Sequence, residues 1–324
     1  MCTSISYRRN DHYFGRNLDV EDTYNEKVVI TPREHLFQLK NGNDYYNKYA
    51  MIGIAMEVND YPFYFDAANE KGVAMAGLNF PGNAYYPDPI DRTDNIAVFE
   101  FIPWILGQAE NIQDVRELLS RMTLCNLTFT PGMPGAALHY MISDHNESIV
   151  VEPEADGLKI YDNPYDVMTN NPPFPYHLQN MNNYLNLSPK NGENTFSSKY
   201  PLNNYGVGMG AIGLPGDASS ASRFVRAAFN LQNSNNEDTE DANVTQFFHV
   251  LDSVAMVKGA TLTDDGKDDY TTYSCCINAD KGIYYYKTYE DNQIHAVQLE
   301  KEDLNAKHLH VYELSKKQEI KYMN

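Results

Sequence analysis

The order in which hydrophobic periodicity changes along the chain limits its fold more than any single residue does. Apolar or alternating runs at residues 2–7, 12–17, 27–31, 49–58 and 73–78, separated by polar turns, predict strands. The period then becomes helical. Residues 97–107 read as a buried helix with Pro103 as a kink or boundary. Residues 111–122 read as an amphipathic helix with Asn111 as N-cap, Asp114 in the first turn, and Ile112, Val115, Leu118, Leu119 and Met122 on one face. Strands return at 138–143, 148–154 and 158–161, helices at 221–230 and 243–256, and strands again at 271–278, 282–288 and 295–299. Strands, helices, strands, helices, strands is an order that suits two stacked sheets between helical layers. A doubly wound parallel sheet needs regular βα alternation instead. Between these elements, the polar stretch 232–243 reads as an acidic surface loop, and the Asn/Pro-rich stretch 170–189 as a long irregular loop of the functional kind.

Composition narrows the functional classes. Hydrophobic residues make up 42% of 324, aromatics 12% with 25 Tyr, enough to build a sizeable core and to exclude disorder. A formal charge of −19 argues against nucleic acid or a stable anionic-membrane association as the main partner, because both reward dense Lys and Arg. No segment approaches the roughly 20 apolar residues that span a bilayer. The N-terminus has its arginines after mildly apolar residues and no apolar h-region, so it does not read as a secretory signal. The 4 Cys make no disulfide framework, and reduced thiols in the cytoplasm are expected. Cys275 and Cys276, adjacent in a strand pattern, must face opposite ways and read as structural thiols, as does Cys125. The nine histidines are read as lacking zinc-type spacing, so no metal is expected. The segment Gly206-Val207-Gly208-Met209-Gly210 lacks the Lys-Ser/Thr and βαβ setting of a phosphate loop.

Cys2 is the most unusual position. Initiator methionine is normally removed before a small residue, which leaves Cys2 with a free α-amine. One residue then carries both a nucleophile and a base, with reference pKa values near 8.5 and 7.7–8.0. On position alone, a small residue starting a strand is the plainer reading. The segment Phe14-Gly15-Arg16-Asn17-Leu18-Asp19 changes that, since a hairpin returns it to the N-terminus. Arg16 is then placed to favour the thiolate and Asp19 to accept from the α-ammonium, although such a pair alone is more often a surface ion pair.

Taken together, Met1-Cys2-Thr3, Phe14-Gly15-Arg16-Asn17-Leu18-Asp19, Asn69-Glu70-Lys71-Gly72 and Ala76-Gly77-Leu78-Asn79-Phe80-Pro81 resemble the signature of the choloylglycine hydrolase family. So do Thr169-Asn170-Asn171-Pro172, Gly213-Leu214-Pro215-Gly216-Asp217 and Ser222-Arg223-Phe224. The resemblance covers essentially the whole chain as one domain, residues 1–324. It implies an α+β fold, a four-layer αββα sandwich of two stacked antiparallel sheets flanked by helices, as in N-terminal nucleophile hydrolases. It implies a cysteine-dependent amidase without cofactor, cytoplasmic and homotetrameric, in a gut bacterium. The substrates it implies are conjugated bile salts of the glycocholate and taurocholate type.

Carried over residue by residue, the resemblance makes Cys2 nucleophile and base, with Arg16 and Asp19 beside it and Arg223 completing the polar site. Asn79 through its backbone N–H and Asn170 through its side-chain amide are implied to hold the oxyanion. Otherwise both would read as turn residues. Asn79 favours bile salts, because dedicated penicillin V acylases of the family usually carry Tyr there. Tyr24, Phe65, Met133 and Ala137, the last two in the loop 129–137, fall where the family's substrate-facing loops lie, and the Tyr205-Gly206-Val207-Gly208 loop is a further selector. Two other readings remain open: an acylase of penicillin V or another N-acyl amide, and a non-catalytic binding protein that keeps the fold.

Overall fold

Alternation along the strands sorts their side chains between two cores. Val29, Met51, Met75, Tyr140, Ile142 and Val151 share one buried cluster, while their neighbours Ile30, Ile52, Ala74, Ala76, Met141 and Val150 share the other. A sheet buried on both faces must have a layer on each side. The computed structural model, which describes residues 1–324 apart from 92, 131, 133 and 134, shows those layers.

The strands of two large sheets are β1 (Cys2–Arg8), β2 (His12–Val20), β3 (Lys27–Thr31), β4 (Met51–Val58), β5 (Tyr61–Asn69), β6 (Ala74–Asn79), β7 (Leu138–Ser143), β8 (Ser148–Glu154), β9 (Gly157–Asp162), β10 (Val167–Met168), β11 (Tyr270–Asn278), β12 (Ile283–Thr288), β13 (His295–Gln298) and β14 (His310–Glu313). One sheet has the order β10-β1-β2-β11-β12-β13 and the other β9-β8-β7-β6-β5-β4-β3-β14. Every pairing within them is antiparallel. The helices are α1 (Phe101–Leu106), α2 (Ile112–Arg121), α3 (Phe174–Asn180), α4 (Ser220–Gln232) and α5 (Glu240–Asp252). Helices α1 and α2 bury their apolar faces on the outside of the eight-stranded sheet. Helices α4 and α5 pack Phe224, Leu231, Phe247 and Leu251 with the six-stranded sheet. The layers are therefore α, β, β, α, as the sequence order required.

Several local expectations change. The helix expected over 97–107 is a 3-10 turn, Val98–Glu100, followed by α1, with Pro103 in the first helical turns where its missing N–H is tolerated. Residues 240–243 of the supposed acidic loop are the start of α5, because Thr239 caps it and Glu240 and Asp241 suit a helix N-terminus; the helix ends at Asp252, before the expected 256. The stretch 170–189 contains α3 and a further 3-10 turn, Met181–Tyr184. Strand β5 was not anticipated, since Pro62 interrupts its pattern; the turn Asn59-Asp60, with φ of 54° and 63°, folds it back on β4. Gly15 is demanded by close approach, because a Cβ there would overlap the Cys275 carbonyl of the neighbouring strand.

Candidate active site

Strand β1, second in the six-stranded sheet, starts at Cys2, which lies opposite Leu18 of β2 with 3% of its surface exposed. Ser4 and Arg16 face each other two pairs further along. The key opening lies in the other sheet. Strands β5 and β6 pair only as far as Asp66↔Ala76, after which the ladder stops and the carbonyls of Phe65 and Gly77 lose sheet partners. The guanidinium of Arg16, fully buried, enters this fork from the facing sheet. Its Nη1 donates to Gly77 O at 2.5 Å and to Phe65 O at 3.4 Å, and its Nε to Asn17 O at 3.3 Å. The remaining nitrogen, Nη2, points at Cys2 Sγ, 2.5 Å away. Burial alone would lower the Arg16 pKa, but the facing Cys2 thiol, with Tyr273 and Asp66, raises it on balance, so the group is a permanent cation.

A second buried guanidinium arrives from the helical side. Ser219 caps α4, and Asp217 accepts from Ser219 N at 2.9 Å and Ser222 Oγ at 2.6 Å, bonds that hold its carboxyl down to about 2. The Gly-Leu-Pro-Gly-Asp motif is therefore the entry to this helix, whose first turn carries Arg223. Arg223 donates to the Cys2 carbonyl, to Thr3 Oγ1 at 2.7 Å, to Ala218 O at 3.0 Å and to Asn170 Oδ1 at 2.7 Å.

Asn170 joins these pieces. Its Oδ1 accepts from Cys2 N at 2.8 Å, and its Nδ2 donates to Asn79 O at 2.8 Å. Asn171 Nδ2 donates to Pro81 O at 2.6 Å, so the two Asn-containing loops are laced together. Antiparallel alternation then fixes the Asn79 N–H. Phe80 N donates to Ala137 O across the β6–β7 edge, so the N–H and C=O of Asn79 both turn to the opposite edge, where β5 no longer pairs. The N–H of Asn79 and the amide of Asn170 lie along the same gap.

Asp19 is fully buried, with Oδ1 accepting from Thr271 Oγ1 at 2.6 Å and Oδ2 without a partner among the described residues. Burial raises its pKa, against the lowering influence of Arg223 and the N-terminal ammonium. That ammonium, on Met1, donates to the Asp19 carbonyl at 2.5 Å and faces Asp269 Oδ2 at 3.2 Å. With Met1 in place, the nitrogen of Cys2 is an amide.

The structure thus gathers Cys2, Arg16, Asp19, Asn79, Asn170 and Arg223 into one site. Tyr24 and Phe65 adjoin it as an aromatic pair, ring centroids 5.7 Å apart, and Phe65 is the residue whose carbonyl meets Arg16. Ala137 borders Asn79 through the Phe80 N bond. Met133 lies outside the described residues. Phe129, from the same loop, packs with Tyr61, Phe63 and Phe99 in an aromatic cluster. The segment Asn69-Glu70-Lys71-Gly72 is a hairpin turn with Gly72 at φ 89°, and its side chains bond within the turn and to Arg33, Ala50 and Leu106. Cys275 and Cys276 do face opposite sides, Cys275 Sγ reaching Asp66 Oδ1 at 3.5 Å. The histidine spacing needs correction: His308-Leu309-His310 is an HxH pair with rings 5.2 Å apart. Among the described residues, however, no group of three His, Cys, Asp or Glu is placed to hold a metal. The sequence reading missed Asp66, His139 and Glu152, all buried beside the site. The available signal was an ionisable residue at an inward phase of an otherwise apolar strand.

A cysteine at the head of an interior antiparallel strand, in a sheet stacked on a second one and flanked by helices, defines an N-terminal nucleophile hydrolase. The profile of the family described as linear amide C–N hydrolases, choloylglycine hydrolase family, matches residues 2–312, and the chain belongs to that family. It is an amide hydrolase. It is 48% identical over 314 residues to the bile salt hydrolase/transferase of Lactiplantibacillus plantarum, covering 97% of each chain. The crystal structure of a variant of the conjugated bile acid hydrolase from Clostridium perfringens matches with TM-score 0.93 at 37% identity, over 100% of both chains. The penicillin V acylase of Agrobacterium tumefaciens, at 20% identity and TM-score 0.78 over 96% of this chain and 91% of that one, shares the fold. No helix among the described residues is long and apolar enough to cross a membrane.

Proposed function

We propose that this protein hydrolyses the amide bond of glycine- or taurine-conjugated bile salts, with Cys2 as the nucleophile. The observation that carries the chemistry is the Asn170 side chain, which ties the Cys2 nitrogen, Arg223 and the Asn79 loop into one array. The relatives' names supply the substrate class. Removal of Met1 turns the Cys2 nitrogen into an α-amine held by Asn170 Oδ1, in a region where the buried Asp19 carboxylate already feels the N-terminal ammonium and can balance its charge. The amine takes the thiol proton, and the thiolate, facing Arg16, attacks the amide carbon. The Asn79 N–H and the second hydrogen of Asn170 Nδ2 hold the tetrahedral oxyanion, where each preorganised donor contributes about 10²–10³ in rate. Collapse breaks the C–N bond, the α-ammonium protonates the departing nitrogen, and glycine or taurine leaves. Water then attacks the thioester as the amine accepts its proton, which releases free bile acid and restores the thiol.

The proposal extends to a cytoplasmic homotetramer. Supporting this, the segment between α3 and α4 exposes Leu185, Phe196, Tyr205 and Val207, a density of apolar surface that suits a subunit contact. Parallel rates on glycocholate, taurocholate and penicillin V, with intact mass on the same sample, test the function. Higher kcat/KM on the bile salts and a mass lacking Met1 are expected. A clear preference for penicillin V makes the protein an acylase of the other kind, and full activity with Met1 retained overturns the single-residue mechanism. Retained hydrolysis in Cys2→Ala overturns the nucleophile.

A further inference from the structure

His139 on β7 and Glu152 on β8 stand directly across from each other, one step beyond the pair Tyr140↔Val151. Their same-face neighbours Met141 and Val150 lie in the core between the sheets. The period of two therefore turns both ionisable side chains inward, and they are 1% and 0% exposed. His139 Nδ1 lies 2.9 Å from Glu152 Oε1, and His139 Nε2 lies 2.9 Å from the carbonyl oxygen of Thr169. Both Glu152 oxygens also accept from Phe174 N, at 3.1 and 3.0 Å, which ties the start of α3 to the pair. The imidazole stacks on Phe80 with centroids 4.3 Å apart and planes 6° from parallel.

A carbonyl oxygen supplies no hydrogen, so Nε2 must carry one to meet Thr169. A second hydrogen must lie between Nδ1 and Oε1, since a bare nitrogen facing a carboxylate would leave two lone pairs opposed in an apolar space. The pair is thus a fully satisfied buried unit that presents one N–H to one main-chain atom. Thr169 immediately precedes Asn170, and Phe80 immediately follows Asn79. His177 grips the next carbonyl, its Nε2 2.9 Å from Asn170 O.

We infer that the His139–Glu152 pair is a positioning device for the oxyanion donors. It holds the Thr169 carbonyl, in the peptide unit that leads into Asn170, by a hydrogen bond and the Asn79 loop by ring stacking on Phe80, from a place where it touches no reacting atom. This rests on the proposed role of Asn79 and Asn170, and it adds two residues 13 apart on neighbouring strands to the machinery. A displacement of about 1 Å in an oxyanion donor is enough to cost about 10²-fold, because the bond is made only to the transition state.

The test compares His139→Gln with His139→Asn. The Gln amide nitrogen reaches the place of Nε2 and keeps a donor for Thr169 O, whereas that of Asn reaches only the place of Nδ1. Both lose the ring and its stacking on Phe80; Asn, one methylene smaller, also leaves the larger cavity, and the alkylation rate of Cys2 reports whether that cavity disturbs the site at large. On glycocholate, kcat is expected to fall about 10–100-fold in His139→Asn, the size typical of a buried partner that orients a reacting group, with KM within about twofold. The fall in His139→Gln is expected to be several-fold smaller. Alkylation of Cys2 by iodoacetamide, which forms no oxyanion, is expected to keep its wild-type rate in both. Should the His139 variants not fold, Glu152→Gln, which keeps its size and one acceptor oxygen, is expected to give the same fall in kcat with Cys2 alkylation unchanged. Wild-type kcat in the variant measured, equal losses in Gln and Asn, or loss of alkylation in step with hydrolysis overturns the inference. A wild-type protein inactive on bile salts and on penicillin V overturns the proposed function, and the inference with it.

Discussion

Arg16 binds the sulfur of Cys2 with one terminal nitrogen and the carbonyl of Gly77 with the other, each at 2.5 Å. The same side chain therefore closes the fork between β5 and β6 and sets the electrostatic surroundings of the thiol. A buried cation without these carbonyls would be poorly solvated, and the carbonyls without the cation would be orphaned acceptors. The opening in the sheet and the charge beside the Cys2 thiol depend on each other.

Arg16→Lys separates the two roles. Lysine keeps the charge, but its single ammonium cannot span Gly77 O, Phe65 O and Cys2 Sγ in a fixed fork. Alkylation of Cys2 by iodoacetamide at pH 7 is expected to slow, and kcat/KM on glycocholate to drop by about 100-fold. Stability in urea is expected to fall by about 1–3 kcal/mol for the carbonyls left unpaired. An Arg16→Lys protein with wild-type alkylation and turnover would show that the fork does not tune the thiol.

Asp19 predicts a trade between activity and stability. Its native pKa is raised because burial disfavours the carboxylate more than Arg223 and the N-terminal ammonium favour it. Between the ordinary carboxylate pKa near 3.9 and the raised native value, the folded chain binds this proton more tightly than the unfolded one. The contribution of Asp19 to stability thus falls as pH rises through that window, and is fully unfavourable above it. Asp19→Asn removes the effect, and its Oδ1 still accepts from Thr271. Melting temperatures are expected to match wild type near pH 4 and to exceed it increasingly toward pH 7, while turnover falls at least tenfold. A variant less stable than wild type at pH 7 would contradict the sign.

The sequence revealed the layers and the first ring of side chains, and it did so for different reasons. Period-two runs such as 27–31 and 138–143 are buried on both faces, so they read plainly as strands. Asn111 and the face from Ile112 to Leu119 gave α2 because a cap and a 3.6 period agree, and Asn111 Oδ1 does accept from Asp114 N at 3.0 Å. Cys2, Arg16, Asn170 and Arg223 were legible only because motifs far apart in the chain occur together. Physical periodicity alone would have left Asn79 and Asn170 as turn residues. What remained hidden depends on register. That Asn79 turns its N–H into the gap follows from where the β5–β6 ladder ends, and no local pattern marks that place. His139 and Glu152, likewise, become partners only when β7 and β8 pair through Tyr140↔Val151.

Tyr24 predicts how the apolar part of the substrate is held. The ring is 45% exposed, leans on Phe65 at 5.7 Å, and its phenol pKa is raised by burial, then by Glu21, Asp22 and Glu26, and by the nearby Cys2 thiol. It therefore stands at the mouth of the site, against the residue whose carbonyl forms one side of the Arg16 fork. The chain's charge of −19 repels a bile salt anion, so affinity must come from apolar contact and not from the overall field. Losing about 50 Å2 of such contact, at roughly 25 cal/mol per Å2, weakens binding by about 1.3 kcal/mol, or roughly tenfold. Tyr24→Ala is accordingly expected to raise KM for glycocholate about tenfold with kcat nearly unchanged, the signature of binding shared by ground and transition states. Raising salt from about 0.05 to 0.5 M is expected to leave KM unchanged or lower it, because screening removes repulsion. A KM that rises with salt, or a Tyr24→Ala protein that loses kcat and keeps KM, would place the recognition in charge or chemistry and not in this aromatic wall.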